Sequence, residues 1–189
     1  MKQISLSIRF FDCIISLIAL IVLAFPLLIL IALLLLESSR PLIFQERHGQ
    51  NKKIFRIIKL RTMRVGTGSF STHLVPDNAI TPLGRRLRAL KLDEIPQLAN
   101  VLLGQMSIVG PRPNLPSQQS VIEERDRLGV YRWRPGITGR AQITGVDMSQ
   151  PRKLADIDLN MMKNITLLSY LTIVIQSLGF VIARKTYRS

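Results

Sequence analysis

The chain has 189 residues, of which 47% are hydrophobic, which is enough for one domain with a core but hardly for two. Its 26 Lys and Arg against 12 Asp and Glu give a net charge of +14. This excess predicts a negatively charged partner, such as nucleic acid, an anionic membrane surface or a phosphorylated substrate. The single cysteine, Cys13, excludes a disulfide framework and a thiol-rich metal site and fits a reducing compartment.

The first predicted element is a membrane helix in the apolar run 14–36. Only Ser16 and Pro26 in this run are not plainly apolar. About 20 apolar residues suffice to cross a bilayer. A cleaved signal peptide is excluded because its apolar region would be shorter and would precede a small-x-small cleavage site, whereas 37–40 reads ESSR.

Pro26 leaves two topologies open for this helix. A proline frees a backbone carbonyl and kinks the helix, which would permit a re-entrant hairpin with both ends on one side of the membrane. The alternative is a simple spanning helix. Lys2 and Arg9 precede the run and the basic remainder follows it, so both flanks favour the cytoplasmic side.

A β-hairpin is predicted next. Residues 42–44 and 54–60 have strand character and flank a turn at 48–51, which reads HGQN. The many cations between Arg40 and Arg64 include Lys59, and only Glu46 opposes them. These cations could simply form a solvated face near acidic lipid headgroups.

Two helices follow a Gly- and Ser-containing loop at 65–70. Thr81 and Pro82 predict an N-cap and a first helical residue, and the helix carries the three arginines Arg85, Arg86 and Arg88. A second helix is expected to begin near Pro96, with Gly104 at its carboxyl end. Asp93 and Glu94 therefore lie just before it or in its first turn.

The acid pair allows two explanations. Adjacent residues on a helix point about 100° apart, so Asp93 and Glu94 are not expected to share a proton. In a structural role, one acid caps the helix and the other pairs with Arg88 or Lys91. In phosphoryl transfer, metal ions and arginines neutralise the substrate. An aspartate with its reference pKa of about 3.9 is ionised at neutral pH and needs no base to act as a nucleophile.

The remaining segments are mainly structural predictions. Residues 110–113, GPRP, form a stiff segment around Arg112. Ser117 can cap a helix that ends at Gly129, in which 123–127 is an exposed charged face. Residues 133–140 contain a proline and two glycines, a backbone suited to close approach by a ligand.

The last predicted element is an amphipathic helix over 167–182, which packs on the domain or lies at the membrane interface. His48 and His73 lack ligand partners at metal-site spacing and are expected to be surface or loop residues.

Several motifs, in this order, resemble those of the small monotopic polyprenyl-phosphate phosphoglycosyl transferases, a family of bacterial sugar transferases. The matching segments are 59–63 KLRTM, 80–85 ITPLGR, 92–98 LDEIPQL, 100–102 NVL, 106–113 MSIVGPRP and 134–139 RPGITG. Together they extend over most of the chain. The resemblance implies transfer of a sugar 1-phosphate from a UDP-sugar to undecaprenyl phosphate, with release of UMP.

The resemblance also implies roles for individual residues. Asp93 matches the nucleophile that forms a covalent acyl-phosphate with the β-phosphorus. Glu94 matches its partner acid, which handles a proton or organises the metal. Mg²⁺ is the implied cofactor, with both carboxylates as its ligands. Arg88 and Arg112 match basic residues that hold phosphate, and Lys59 and Arg134, which lie in matching motifs, are also implied to bind phosphate.

The family further implies a re-entrant membrane helix broken at a proline, here Pro26, and a place on the cytoplasmic face of the bacterial inner membrane. The chain departs from the family pattern at three positions. Phe25 precedes the proline where Ser is frequent, Asn160 replaces a common Tyr, and Tyr170 replaces a common Asp. The extra N-terminal membrane helices of larger relatives are absent from this sequence.

The sequence thus predicts a membrane-associated α/β protein with a re-entrant helix at 1–38 and a catalytic domain at the membrane interface at 39–189. The alternatives are a membrane-anchored module that binds anionic lipid or nucleic acid, and a structural subunit. A nucleic-acid binder would interleave aromatic residues with its cations, and only Tyr131 and Trp133 are so placed. Nucleic acid is therefore not expected as a partner, and a homodimer stays open.

Overall fold

A computed structural model describes residues 6–67 and 77–186, with side chains as far as residue 179. It confirms a mixed helix-and-strand fold. The elements in chain order are α1 (Leu6–Glu37), β1 (Leu42–His48), β2 (Ile54–Leu60), α2 (Pro82–Ala89), α3 (Gln97–Leu102), β3 (Ser107–Val109), α4 (Gln119–Arg127), β4 (Gly136–Thr138), α5 (Arg140–Ile143), α6 (Pro151–Lys163) and α7 (Leu167–Thr186).

Helix α1 has 32 residues and is long and apolar enough, by length and composition, to cross a membrane. It continues through Pro26. The predicted break is therefore not an interruption of the helix, because a proline removes only one main-chain hydrogen bond and its neighbours continue the helix. Both ends of α1 pack on the rest of the chain. Near the first end, Ile8 belongs to the main core, which is the buried cluster that also contains Val101, Met106, Ile108 and Tyr170. Near the other end, Leu34 packs with Leu60 and Leu87.

Strands β1 and β2 form the predicted antiparallel hairpin, in register from Leu42 opposite Leu60 to His48 opposite Ile54. The buried side chain of Asn100 binds the free edge of β2. Its Oδ1 accepts a hydrogen bond of 3.0 Å from the amide of Ile58, and its Nδ2 donates one of 2.8 Å to the carbonyl of Arg56. A side-chain amide thus satisfies part of an unpaired strand edge and fixes α3 beside the hairpin.

Strands β3 and β4 form a short parallel pair, in which Ser107 lies opposite Gly136 and Val109 opposite Thr138. A Cβ atom on Gly136 would lie 2.1 Å from the amide nitrogen of Gly110, and one on Gly139 would lie 2.5 Å from the carbonyl oxygen of Gly110. The glycines of the 133–140 segment therefore allow two backbones to approach each other, and the close approach of a ligand to this segment stays a prediction.

The helix boundaries around the hairpin follow the sequence signals. Thr81 caps α2, its hydroxyl accepting a hydrogen bond of 2.9 Å from the amide of Gly84. Gly104, at φ +79°, follows α3 as predicted. Helix α4 begins after Gln118, so the prediction that Ser117 caps it is wrong.

The charged run on α4 is not a uniformly exposed face. Arg125 is 2% exposed, and the carboxylate of Asp158 on α6 accepts its hydrogen bonds. The prediction that the whole run 123–127 is solvated is wrong for this residue. Its neighbours Glu124 and Arg127 do form an exposed ion pair at 2.7 Å.

The apolar residues of α7 divide between two faces. Tyr170 and Ile173 are buried in the main core, whereas Leu168, Ile175 and Leu178 are exposed. The predicted amphipathic helix therefore packs on the domain by one side and leaves part of its apolar stripe outside.

Candidate active site

Asp93 and Glu94 lie together in a buried turn between α2 and α3. Lys91, at φ 58°, reverses the chain after α2, and a single 3₁₀ turn at Leu92–Glu94 leads into α3. Both acids are 7% exposed, and neither caps α3, whose N-cap residue is Pro96. This location does not support a capping role for the pair.

Glu94 is the ion-paired member of the pair. Its Oε1 accepts a hydrogen bond of 3.2 Å from Nζ of Lys59 and one of 2.9 Å from Nη2 of Arg112. The predicted partners Arg88 and Lys91 are not in ion-pair contact with it. Burial acts to raise the pKa of Glu94, but the charges of Lys59, Arg112 and Lys91 outweigh burial and hold this pKa well below its ordinary range. Glu94 is therefore a fixed carboxylate.

Asp93 is in a different electrostatic state. Its Oδ1 is buried and has no hydrogen-bond partner among the described residues. Burial, and then the charge of Glu94, raise the pKa of Asp93 above its ordinary value, against the opposing effects of Lys59, Lys91 and Arg88. The reference pKa used for the sequence prediction is thus too low for this carboxyl. Asp93 is the member of the pair whose oxygen is free to take a new partner.

Two of the other predicted phosphate ligands, Arg88 and Arg112, reach this group. Arg88 comes from the inner side of α2, where its Nε donates a hydrogen bond of 2.8 Å to Oγ1 of Thr62. Burial lowers the pKa of Arg88, while Asp93 and Glu94 act to raise it. The structure therefore joins Lys59, Arg88 and Arg112 around the acids.

Arg134 is not brought to the acid pair. It lies at the opposite, carboxyl end of α3, where its Nε donates a hydrogen bond of 2.9 Å to the carbonyl of Gly104. Arg9 of α1 binds the carbonyls of Leu102 and Met106 in the same region. In this structure Arg134 and Arg9 satisfy carbonyl groups of a helix end, and phosphate binding by Arg134 stays a prediction.

A cavity of about 680 Å³ borders the acid pair. Its charged lining includes Arg47, Glu94 and Arg112. Its apolar lining comes from several elements and includes Leu23 of α1, Ile137, Ile143, Val146, Val174 and Leu178. Polar anion-binding groups and an apolar surface that reaches the membrane helix therefore share one space. Asp93 itself is adjacent to this lining but does not belong to it.

A divalent cation would find few protein ligands here. The described part of the chain contains no group of three or more His, Cys, Asp or Glu placed to hold a metal. The unpartnered Oδ1 of Asp93 fits Mg²⁺, which needs few protein ligands when phosphates and water supply the rest. Oε1 of Glu94 fits poorly, since two cations already occupy it.

His48 takes no part in the site. Nδ1 of His48 lies 3.2 Å from the carbonyl oxygen of Lys52 in the hairpin turn. His73 lies outside the described residues.

Sequence reasoning did not single out three groups of residues that support the site. Arg47 lines the cavity from β1, and Arg125 with Asp158 holds the backbone at Arg112. Asp12 of α1 accepts hydrogen bonds from the hydroxyl of Ser107, the amide of Ile108 and the hydroxyl of Tyr170. Of these, only Arg47 has a local signal, because strand alternation places it on the same face of the hairpin as Lys59.

Comparison with known proteins identifies relatives of the chain. A family model described as bacterial sugar transferase matches residues 4–184. A UDP-glucose:undecaprenyl-phosphate glucose-1-phosphate transferase of Caulobacter vibrioides is 42% identical over 146 residues, covering 70% of this chain and 55% of the relative.

An undecaprenyl-phosphate glucose phosphotransferase of Komagataeibacter xylinus is 40% identical, over 72% of this chain and 27% of the relative. The chain thus spans about half or less of the length of these two relatives. An exopolysaccharide production protein, ExoY, of Sinorhizobium fredii is 36% identical over 96% of this chain and 88% of its own length.

Proposed function

Because the chain belongs to the bacterial sugar transferase family, we propose that it transfers a sugar 1-phosphate from a UDP-sugar to undecaprenyl phosphate. The observation that carries the proposal is the electrostatic division of the acid pair. Glu94 is held by Lys59 and Arg112, and the neighbouring Asp93 keeps a buried carboxylate oxygen without a partner. A nucleophile surrounded by cations is what attack on an anionic diphosphate requires.

In the first step, a carboxylate oxygen of Asp93 attacks the β-phosphorus of the UDP-sugar. A bond forms between this oxygen and the phosphorus, and the bond to the oxygen that bridges the two phosphates breaks. UMP leaves with the electron pair of that bond. The product on the protein is an acyl-phosphate that links Asp93 to the sugar. Lys59, Arg88 and Arg112 lower the repulsion between the attacking carboxylate and the diphosphate.

In the second step, a phosphate oxygen of undecaprenyl phosphate attacks the same phosphorus. The acyl-phosphate bond breaks, Asp93 returns as a carboxylate, and the lipid carries the sugar on a diphosphate. Bound Mg²⁺, held by Asp93, would supply further neutralisation of phosphate charge. Glu94 keeps Lys59 and Arg112 in place during both steps.

A membrane location follows from the chemistry, since one substrate is soluble and the other is anchored in lipid. The apolar lining of the cavity, which extends to Leu23 of α1, supports entry of the lipid from the bilayer. The contacts of both ends of α1 with one domain support a re-entrant or in-plane helix. We propose that this helix lies at the cytoplasmic face of the inner membrane. We propose that the reaction begins the membrane stage of glycoconjugate synthesis, such as that of an exopolysaccharide.

The experiment that tests the function traps the covalent intermediate. The detergent-solubilised protein is mixed with Mg²⁺ and a panel of UDP-sugars without lipid acceptor, and UMP release and protein mass are measured. We expect one sugar-phosphate adduct on Asp93 with one donor of the panel. Asp93→Asn should form none, and Asp126→Asn, the same change at an exposed acid of α4, should behave as the original chain. Full turnover by Asp93→Asn with undecaprenyl phosphate would refute the covalent route.

A further inference from the structure

Arg47 is a buried cation that forms no ion pair with any carboxylate of the described residues. It lies on β1 and is 9% exposed. Its Nη2 donates a hydrogen bond of 2.6 Å to Oε1 of Gln45, two residues earlier on the same face of the strand. Its Nε is buried and has no hydrogen-bond partner among the described residues. A buried guanidinium with an unused donor is rare unless a ligand or an ordered water supplies the acceptor, and a donor that lines a cavity can serve a ligand.

The neighbours of Arg47 make the burial of its positive charge more unfavourable. Burial, and then the charge of Arg112, lower its pKa to about 10, and Glu94 opposes this shift only in part. Glu94 also binds two other cations, since its Oε1 accepts hydrogen bonds from Lys59 and Arg112. Two arginines thus lie close enough to repel each other at the lining of one cavity.

The charges of the site indicate what would satisfy Arg47. Five cations act on two carboxylates: Lys59, Arg88, Lys91, Arg112 and Arg47 against Asp93 and Glu94. With both acids ionised, this group has an excess of three positive charges, which an anionic phosphate group would reduce. Guanidinium groups suit this ligand because their donors match the spacing of phosphate oxygens.

We propose that Arg47 is a substrate-binding residue whose Nε donates a hydrogen bond to a phosphate oxygen in the cavity. The inference rests on the proposed transferase function, because it takes the phosphate to be that of a substrate. The diphosphate of the donor and the phosphate of the lipid acceptor have the same chemistry at this point. The experiment therefore treats them as separate arms.

The test measures binding by the full detergent-solubilised chain and by Arg47→Gln. One arm compares UDP with uridine, and the other compares a short polyprenyl phosphate with the corresponding polyprenol. The matched control is Arg56→Gln, the same change on the exposed face of the neighbouring strand, where Arg56 forms an ion pair of 3.4 Å with Glu46. We expect Arg47→Gln to weaken binding of the phosphate ligand in one arm by about 10- to 100-fold, a typical loss for one charged hydrogen bond. Uridine and polyprenol should bind as before.

The outcomes separate the two proposals. Loss in the UDP arm assigns Arg47 to the donor, and loss in the lipid arm assigns it to the acceptor. Unchanged binding of both phosphate ligands by Arg47→Gln overturns the role of Arg47 alone. If the original chain binds neither phosphate ligand better than its phosphate-free counterpart, the proposed function and the role of Arg47 are both refuted. Arg47→Lys, which keeps the charge but lacks the fork, should fold if Arg47→Gln does not and should show a smaller but measurable loss.

Discussion

Arg125 donates a hydrogen bond of 2.7 Å from Nη1 to the main-chain oxygen of Arg112. The same guanidinium binds Oδ2 of Asp158 through Nε at 3.1 Å and Nη2 at 2.6 Å. A buried ion pair between α4 and α6 therefore fixes the backbone that carries Arg112 to Glu94. The position of a cation in the candidate active site depends on two residues that do not contact the acid pair.

The first prediction concerns the stability of this ion pair. Asp158→Ala leaves the buried charge of Arg125 without its carboxylate, so we expect the free energy of unfolding to fall by about 3–5 kcal/mol. Denaturant unfolding, followed by the fluorescence of Trp133, measures this free energy. Glu124→Ala is the matched control on the exposed pair of α4 and should cost no more than about 1 kcal/mol. Equal losses in the two variants would contradict the prediction.

A second prediction separates positioning from stability. The double change Arg125→Met and Asp158→Leu replaces the ion pair by apolar contacts, which often restores stability. It also removes the donor that holds the carbonyl of Arg112. We therefore expect a variant with near-original stability whose adduct formation on Asp93 is reduced at least about tenfold, as misplacement of a charged group typically does. Full activity of this stable variant would exclude a positioning role.

The third prediction concerns Tyr170, which donates a hydrogen bond of 2.8 Å to Oδ1 of Asp12. Tyr170→Phe leaves this buried acceptor with two donors, so we expect a loss of about 1–3 kcal/mol at pH 8. Burial, and then the charge of Asp12, raise the pKa of Tyr170 in the folded protein. The stabilisation is therefore complete below the unfolded pKa of about 10 and is lost as the pH rises above it.

The measurement for Tyr170 is unfolding of the original chain and of Tyr170→Phe at pH 8 and above pH 10. The stability difference between them should shrink at the higher pH, because only the original chain ionises this phenol on unfolding. A difference that stays constant or grows would contradict the prediction.

The fourth prediction distinguishes the two acids. Glu94→Gln should reduce adduct formation by about 100-fold or more, because Lys59 and Arg112 lose the carboxylate that holds them. It should leave a slow adduct on Asp93 that mass spectrometry detects over long incubation. Asp93→Asn should form no adduct at any time. The reverse pattern, with an adduct that requires Glu94 and not Asp93, would exchange the two roles.

The fifth prediction tests the close approach of β3 and β4. A methyl group at Gly136 would overlap the backbone of Gly110, which cannot move aside as a flexible side chain can, so Gly136→Ala should cost about 3 kcal/mol. Gly179 on α7 has no atoms within 4 Å of the site of a Cβ. Gly179→Ala should therefore stabilise the helix by about 0.5–1 kcal/mol. Thermal unfolding compares the two, and a similar effect at both positions would contradict the contact.

Local signals in the sequence predicted the elements whose structure depends on nearby residues. The Thr81 cap, the hairpin and the glycine after α3 all follow from patterns within a few residues. The predicted group of Lys59, Arg88 and Arg112 around the acids came from the family motifs, and the structure joins these residues. The spacing of these cations in the sequence does not predict their grouping, because the three residues lie in separate parts of the fold.

Long-range pairs account for what sequence reasoning missed. Arg125 and Asp158 are 33 residues apart, and in sequence Arg125 is one of several charges on a helix that looks exposed. The glycines near 136 suggested room for a ligand because the sequence pattern of a close backbone approach is the same for a ligand and for another strand. The motif around Arg134 places it among the predicted phosphate ligands, and only the fold shows that its side chain binds the carboxyl end of α3.

The last prediction concerns the topology of α1. Asp12 binds β3 and α7, while Leu34 packs against Leu60 and Leu87. These two residues are 22 positions apart, roughly 33 Å along a helix, which is close to the thickness of the hydrocarbon layer. A spanning helix would place them at opposite faces of the membrane, where one domain could not hold both. We therefore expect both ends of α1 on the cytoplasmic side.

Cysteine labelling measures this topology. In a Cys13→Ser background, Gln3→Cys and Ser39→Cys place single thiols before and after the helix, and Ser120→Cys on the exposed side of α4 marks the domain. A membrane-impermeant maleimide should label all three in inverted vesicles and none in intact spheroplasts. Labelling of position 3 from the opposite side to positions 39 and 120 would show a spanning helix. It would also require the contacts of Asp12 to be absent in the membrane, since Ser107 and Tyr170 belong to the domain that Ser120 marks.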